Sequence, residues 1–218
     1  MHVAVIPDGN RRFMEKTNST SLDASLESVR CLVNWCKNDD TVTRLSVFCW
    51  SSENWNRKED EVNTAMECLY GYLQSIENSE SLCYVCCSSS PEDIPSHIRR
   101  EMIRINNDAS ANMGPSALRV YLYISYGFHE HRRVSGGDDH DDVDIVNNPL
   151  HINTMDDGIP DVDCLIRTSG EKRLSNFCLH KLGFAELVFV DSLFPECNGQ
   201  TWDSCMREFK KRDRRFGM

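Results

Sequence analysis

Apolar residues fall along this chain in two alternating rhythms. Six short runs, Val3–Ile6, Arg44–Cys49, Leu82–Cys87, Leu118–Ser125, Val162–Ile166 and Leu187–Val190, read as strands. Several are nearly continuous in apolar residues, as expected when both faces of a sheet are covered. Between them the period lengthens. Ser21–Lys37 sets Leu22, Leu26, Val29 and Val33 on one stripe, and Glu59–Glu77 sets Val62, Met66, Leu69, Leu73 and Ile76 at alternating spacings of four and three, both helical patterns. Further helices are predicted over Pro95–Asn107, Lys172–Leu182 and Thr201–Arg212. Strand alternating with helix predicts an α/β fold: a single domain over residues 1–218 with a central, largely parallel six-stranded sheet flanked by helices.

Composition narrows the function. A formal net charge of -10 disfavours nucleic acid, which needs a basic stripe. A small anion remains compatible where cations gather, at Arg11-Arg12 and from Lys210 to Arg215. The 11 cysteines, with no signal-peptide-like start and no run long enough to span a bilayer, predict free thiols in a reducing, cytoplasmic setting. Cys83 and Cys86 form a C-x-x-C. On a strand that spacing sends the thiols to opposite faces, so buried small side chains are favoured over redox or zinc chemistry. Ser135–Asp144 is densely acidic; with His140 it could bind a divalent cation, or it is a solvated loop, the reading favoured by mutual repulsion of its charges.

The polar clusters follow strands. The first strand runs into Pro7-Asp8-Gly9-Asn10-Arg11-Arg12, the second into Ser51–Arg57, the fifth into Arg167–Asn176. Ligands of open α/β sheets bind beyond the carboxyl ends of strands, so these clusters are expected to converge. Their chemistry suits a diphosphate. Gly9 lets backbone approach phosphate oxygens, a helix starting near Lys172 would offer free N–H groups, and Arg11, Arg12, Arg57, Arg167 and Arg173 offer forked donors. Asp8 among them suits a bridging Mg²⁺, which accepts one carboxylate plus substrate oxygens. Each arginine taken singly could equally pair with a surface acid.

These strings resemble the cis-prenyltransferase family, which includes undecaprenyl and dehydrodolichyl diphosphate synthases. His2–Phe13 is similar to its opening motif, with Pro7 for the usual Met and Phe13 for the usual Trp. SSENWNR (51–57), DCLIRTSGEKRLSN (163–176) with Phe184–Leu187, and Arg214-Arg215-Phe216-Gly217 resemble the later motifs. The resemblance implies Mg²⁺-dependent condensation of isopentenyl diphosphate with an allylic diphosphate. It implies that Asp8 holds Mg²⁺ and assists departure of the allylic diphosphate, which Gly9, Asn10, Arg11 and Arg12 cradle beside Phe13. Asn54 and Ser51 take part in proton removal. Ser52, Glu53, Trp55 and Arg57 belong to a loop closing over substrate, and Arg167, Arg173, Leu174 and Ser175 bind isopentenyl diphosphate. Glu186 matches a metal-linked carboxylate, but it sits at the opposite sheet end from Asp8, which points to a dimer interface. Arg215 and Gly217 match a tail signature that reaches the partner's site, implying a homodimer. A tunnel between the sheet and the helices Ser21–Lys37 and Glu59–Glu77 is implied for the growing chain, whose release allows peripheral membrane contact. The two apolar stripes also serve as core.

The chain departs from the family at several points. Ser21, Leu22 and Ser25 stand where Gly-His-x-x-Gly is usual, and an arginine preceding that pattern has no counterpart; each lost cationic contact is worth roughly 1.5–3 kcal/mol. Lys172 replaces a His, and Ser125-Tyr126-Gly127-Phe128 only partly resembles Asn-Tyr-Gly-Gly. An alternative class is therefore a non-catalytic partner subunit; Asp8, Asn54 and the arginines favour the enzyme.

Overall fold

The computed structural model describes residues 1–129 and 158–212. Six strands, β1 (His2–Ile6), β2 (Arg44–Ser51), β3 (Leu82–Cys87), β4 (Leu118–Tyr126), β5 (Cys164–Arg167) and β6 (Glu186–Phe189), form one sheet in the order β3-β4-β2-β1-β5-β6. Every pairing is parallel. The chain builds outward from β1 on one side, then returns to place β5 on the other. The carboxyl ends of β1 and β5 therefore flank a point where the winding reverses, the usual place for a ligand crevice.

Helices α1 (Asn10–Thr17), α2 (Asp23–Lys37), α3 (Glu59–Gln74), α4 (Ser96–Asn112) and α5 (Gly199–Lys210) complete the described secondary structure, with short 3₁₀ turns including Ser52–Asn56 and Leu179–Lys181. The expected stripes are the buried ones. From α2, Val29, Leu32, Val33 and Cys36, and from α3, Met66, Leu69, Tyr72 and Leu73, pack with Val3, Val5, Leu45 and Val47 of the sheet. The opposite face carries a second cluster in which Phe48 stacks on Phe177 at 4.5 Å between ring centroids, with Tyr123 set edge-on to Phe177. Cys83 and Cys86 join different clusters, as strand alternation requires, and none of the 11 cysteines is in a disulfide. Among the described residues no helix is long and apolar enough to cross a membrane.

Two helix expectations change. Residues 172–182 form no α-helix; the one helical element there is the 3₁₀ turn Leu179–Lys181. Ser175, Asn176 and Cys178 all have left-handed φ angles (48°, 61° and 43°), incompatible with a right-handed helix. The segment is instead wrapped around the Arg167 guanidinium, whose Nη1 donates to the Arg173 carbonyl and to Ser175 Oγ. Conversely, α1 has no apolar period to announce it, and none of its residues is buried. Ser135–Asp144, with His140, and the tail motif Arg214–Gly217 lie outside the described residues.

Candidate active site

β1 ends at Ile6, and three residues later the backbone turns into α1 through Gly9 at φ 102°. That left-handed conformation suits glycine. Space favours it as well: a Cβ here would lie 3.0 Å from Leu193 Cα and 3.0 Å from Ser169 Cβ. The first intrahelical bond runs from the Phe13 N–H to the Gly9 carbonyl (2.9 Å), so Asn10, Arg11 and Arg12 occupy the first turn, where N–H groups have no intrahelical acceptor. The helix start expected near Lys172 is thus supplied by α1, directly after Asp8.

Thr168, fully buried at the end of β5, fastens the two strand ends. Its Oγ1 accepts from the Asp8 N–H (2.9 Å) and donates to the Asp8 carbonyl (2.8 Å). The Asp8 carboxylate receives Arg167 Nη2 at 2.7 Å and the Gly9 N–H at 2.7 Å, with Arg12 at 3.8 Å. Burial alone would raise the Asp8 pKa. The Arg167 and Gly9 hydrogen bonds and the charges of Arg167 and Arg12 outweigh it and hold the carboxyl below its ordinary value. Asp8 is therefore an anion across the physiological range.

Asp8 stands on the wall of a cavity of about 1050 Å³. Gly9 and, from the first turn of α1, Asn10, Arg11 and Arg12 line it; Ser51, Glu53, Asn54 and Arg57 line it from the end of β2; Arg167, Arg173 and Ser175 from the end of β5. The three clusters predicted to converge do converge. Apolar side chains from α2 (Leu26, Val29), α3 (Ala65, Leu69, Tyr72) and β2 (Val47, Trp50) line the same cavity. Several of these side chains are also core, so lining and packing are served together. Leu22 and Ser25 face the same cavity at positions where the resembling family carries His and Gly.

Cations on this wall stand against carboxylates. Glu171 lies 3.6 Å from Arg12 and also pairs with Arg173; Arg11 lies 3.4 Å from Glu61. Arg12 further donates to Ser169 Oγ (2.6 Å) and its carbonyl (3.2 Å). Asn176 donates to Glu53 Oε1 (3.2 Å), tying the loop after β5 to the loop after β2. Glu171, Asn176, Thr168 and Ser169 were inside the polar string read from the sequence, but their individual roles depend on left-handed turns at 169–170 and 175–176 that no composition signal announces. Trp50 reaches the cavity because the β2–β4 register slips on either side of it, a bulge likewise silent in sequence.

Not every expected site residue lines the cavity. Phe13, Ser52, Trp55 and Leu174 do not; Leu174 packs into the second core cluster and Trp55 against the first. Glu186 opens β6 at the far end of the sheet, where it pairs with Arg212 at 3.0 Å, so the fold of the chain does not bring it to Asp8. Arg215 and Gly217 lie outside the described residues.

Comparison with known proteins gives one direction. The sequence pattern of the family described as "Putative undecaprenyl diphosphate synthase" matches residues 6–217. An isoprenyl transferase of Treponema denticola is 30% identical over 99% of this chain and 96% of its own length. The ditrans,polycis-undecaprenyl-diphosphate synthase ((2E,6E)-farnesyl-diphosphate specific) of Micrococcus luteus is 28% identical over 99% and 90%. Among solved structures, a probable undecaprenyl diphosphate synthase from Campylobacter jejuni superposes with a TM-score of 0.72 at 26% identity, covering 100% of this chain and 98% of its own. Lavandulyl diphosphate synthase from Lavandula x intermedia, in complex with dimethylallyl diphosphate, shares the fold with a TM-score of 0.81 at 24% identity over the same shares.

Proposed function

This chain belongs to the undecaprenyl diphosphate synthase family of prenyl transferases, and we propose that it condenses isopentenyl diphosphate with an allylic diphosphate, Mg²⁺-dependently, to give a cis-polyprenyl diphosphate. The observation that carries this reading is the two-part lining of one cavity: an anionic carboxylate, a helix start and arginines where β1, β2 and β5 end, and apolar side chains from α2, α3 and β2. A diphosphate head with a hydrocarbon tail matches both parts.

The residues fit Mg²⁺. Asp8 is ionised and on the cavity wall, and among the described residues no three His, Cys, Asp or Glu side chains cluster into a protein cage. One carboxylate completed by diphosphate oxygens is the arrangement this cation favours. Bound there, Mg²⁺ would neutralise charge on the departing diphosphate. Asp8 would hold it, and Glu186 is left to the far sheet end.

The chain's own groups divide the remaining work. Gly9 and the first turn of α1, with Arg11 and Arg12, hold the allylic diphosphate; Arg167, Arg173 and Ser175 hold isopentenyl diphosphate. The allylic C–O bond breaks with its electrons passing to the diphosphate, and donors fixed where that charge develops lower the barrier. The alkene of isopentenyl diphosphate forms the new C–C bond, and a proton passes from the adjacent carbon to a diphosphate oxygen. Ser51 and Asn54 are the uncharged polar groups assigned to guide that proton. The apolar side chains exclude water from the cation and receive the tail.

The reading extends to a homodimer whose Arg215 and Gly217 complete the partner's isopentenyl diphosphate site, and to a cytoplasmic enzyme that touches a membrane to release product. A second reading, a weakly active or non-catalytic partner subunit, draws on Leu22 and Ser25 at the cavity wall where the family places His and Gly. One assay separates them: purified chain, labelled isopentenyl diphosphate and a short allylic diphosphate, with Mg²⁺ or excess chelator. Elongation with Mg²⁺ and none with chelator is expected. No product under either condition refutes the enzyme.

A further inference from the structure

Trp55 lies in the Ser52–Asn56 turn, yet it turns away from the cavity that its neighbours Asn54 and Arg57 line. Its indole N–H donates to Ser125 Oγ at 2.8 Å. Its ring meets Trp50 edge-on, centroids 5.5 Å apart at 69°, and the Arg57 guanidinium sits 5.2 Å over the same Trp50 ring. Trp55 and Arg57 thus grip Trp50 from one turn, and the polar anchor of that grip is Ser125.

Ser125 is held unusually firmly. It is fully buried with φ 49°, a left-handed conformation that residues other than Gly, Asn and Asp seldom adopt. Its carbonyl accepts from the N–H groups of Ser89 (3.2 Å) and Ser90 (3.1 Å) and from the hydroxyl of Ser88 (3.1 Å). Ser89 Oγ in turn receives the Gly127 N–H at 2.9 Å. The turn after β3 therefore fixes the end of β4 in a conformation that coexists with the bond to Trp55. Strain of this kind persists where surrounding contacts over-determine it.

We propose that Ser125 is a positioning residue for the condensation: it latches Trp55, and through Trp55 sets the Ser52–Asn56 turn so that Asn54 and Arg57 face the substrates. The inference rests on the prenyl-transfer reading above. Arg167 ends β5 and Arg173 stands on the loop after it, both apart from the Ser52–Asn56 turn, so loss of the latch disturbs the chemical step more than capture of isopentenyl diphosphate.

The test uses the whole chain and two readouts, one independent of activity. Hydrogen exchange of the Trp55 indole proton is followed by NMR in the ligand-free protein, the resonance being assigned by its absence in Trp55→Phe. Steady-state kinetics are measured alongside. In the parent the proton is protected. In Ser125→Ala protection is lost and kcat falls about ten- to a hundredfold, the scale of a misplaced catalytic group, while KM for isopentenyl diphosphate moves less than about threefold. Ser125→Asn, which tolerates the left-handed backbone and keeps an acceptor oxygen, restores both. An indole proton as protected in Ser125→Ala as in the parent, a kcat within about twofold of the parent, or a change in KM alone overturns the latch. If Ser125→Ala does not fold, Trp55→Phe removes the donor and keeps an aromatic ring, and its full activity overturns the proposal equally. An inactive parent counts against the enzyme reading, and the indole proton alone then decides whether Ser125 holds Trp55.

Discussion

Arg167 Nη2 lies 2.7 Å from Asp8 Oδ2, joining a guanidinium that is almost wholly buried to a carboxylate that reaches the cavity. The pair spans β1 and β5, whose register sets Ile6 opposite Arg167. Arg167 is held in turn by the Arg173 carbonyl and Ser175 Oγ. One buried cation thus fixes the acid and the loop that carries the other assigned diphosphate ligands.

Replacing Asp8 by Ala is expected to abolish turnover, a loss of about 10³-fold or more, as for removal of a group that acts where charge develops. The fold survives, because Arg167 keeps its other two partners. Turnover within about tenfold of the parent, roughly 1.4 kcal/mol of barrier, refutes this role.

Gly9→Ala meets two penalties at once, a φ of 102° and a contact of 3.0 Å to Leu193 Cα. The backbone cost alone is about 1–3 kcal/mol. We expect lower stability by chemical denaturation and loss of allylic substrate binding, because the first turn of α1 must move. Unchanged stability and unchanged KM for the allylic diphosphate count against the cradle.

His2 supplies a pH dependence remote from the cavity. Its Nδ1–H donates to the Pro160 carbonyl (2.9 Å), so Nε2 accepts from the Ser46 hydroxyl (2.8 Å). Burial, aided by the charge of Arg44, lowers its pKa to about 4 against the opposing pull of the Pro160 bond and Asp163. Because the folded value lies below the unfolded 6.5, the unfolded chain takes up the proton first. The contribution is complete above pH 6.5 and is lost as pH falls from there towards 4. Its size is on the order of 3 kcal/mol. Denaturation of the parent and of His2→Asn across this window is expected to show a steeper loss in the parent; parallel curves refute it.

Removing residues 214–218 is expected to raise KM for isopentenyl diphosphate strongly or to abolish activity, with a smaller effect on the allylic substrate. Arg215 offers a forked donor and Gly217 an unhindered N–H. Unchanged kinetics, or full activity from a monomer at low concentration, would show that no partner's tail completes the site.

The apolar runs determined the six strands, their parallel arrangement and helices α2 to α5, because burial on both faces of a sheet leaves a period that sequence displays directly. The same reading located the three polar clusters, since strand ends are where an α/β chain exposes its turns. It did not find α1, which buries no residue and so leaves no stripe. It placed a helix over residues 172–182, where Arg167 instead draws the backbone into left-handed turns. Trp55 illustrates the remaining gap. Its place in SSENWNR assigned it to substrate, and only packing against Trp50 and the bond to Ser125 turned it inward. Local pattern carries information about which face is buried. Which partner a polar group finds across 70 residues is settled by tertiary packing, because that bond forms only once β2 and β4 lie side by side.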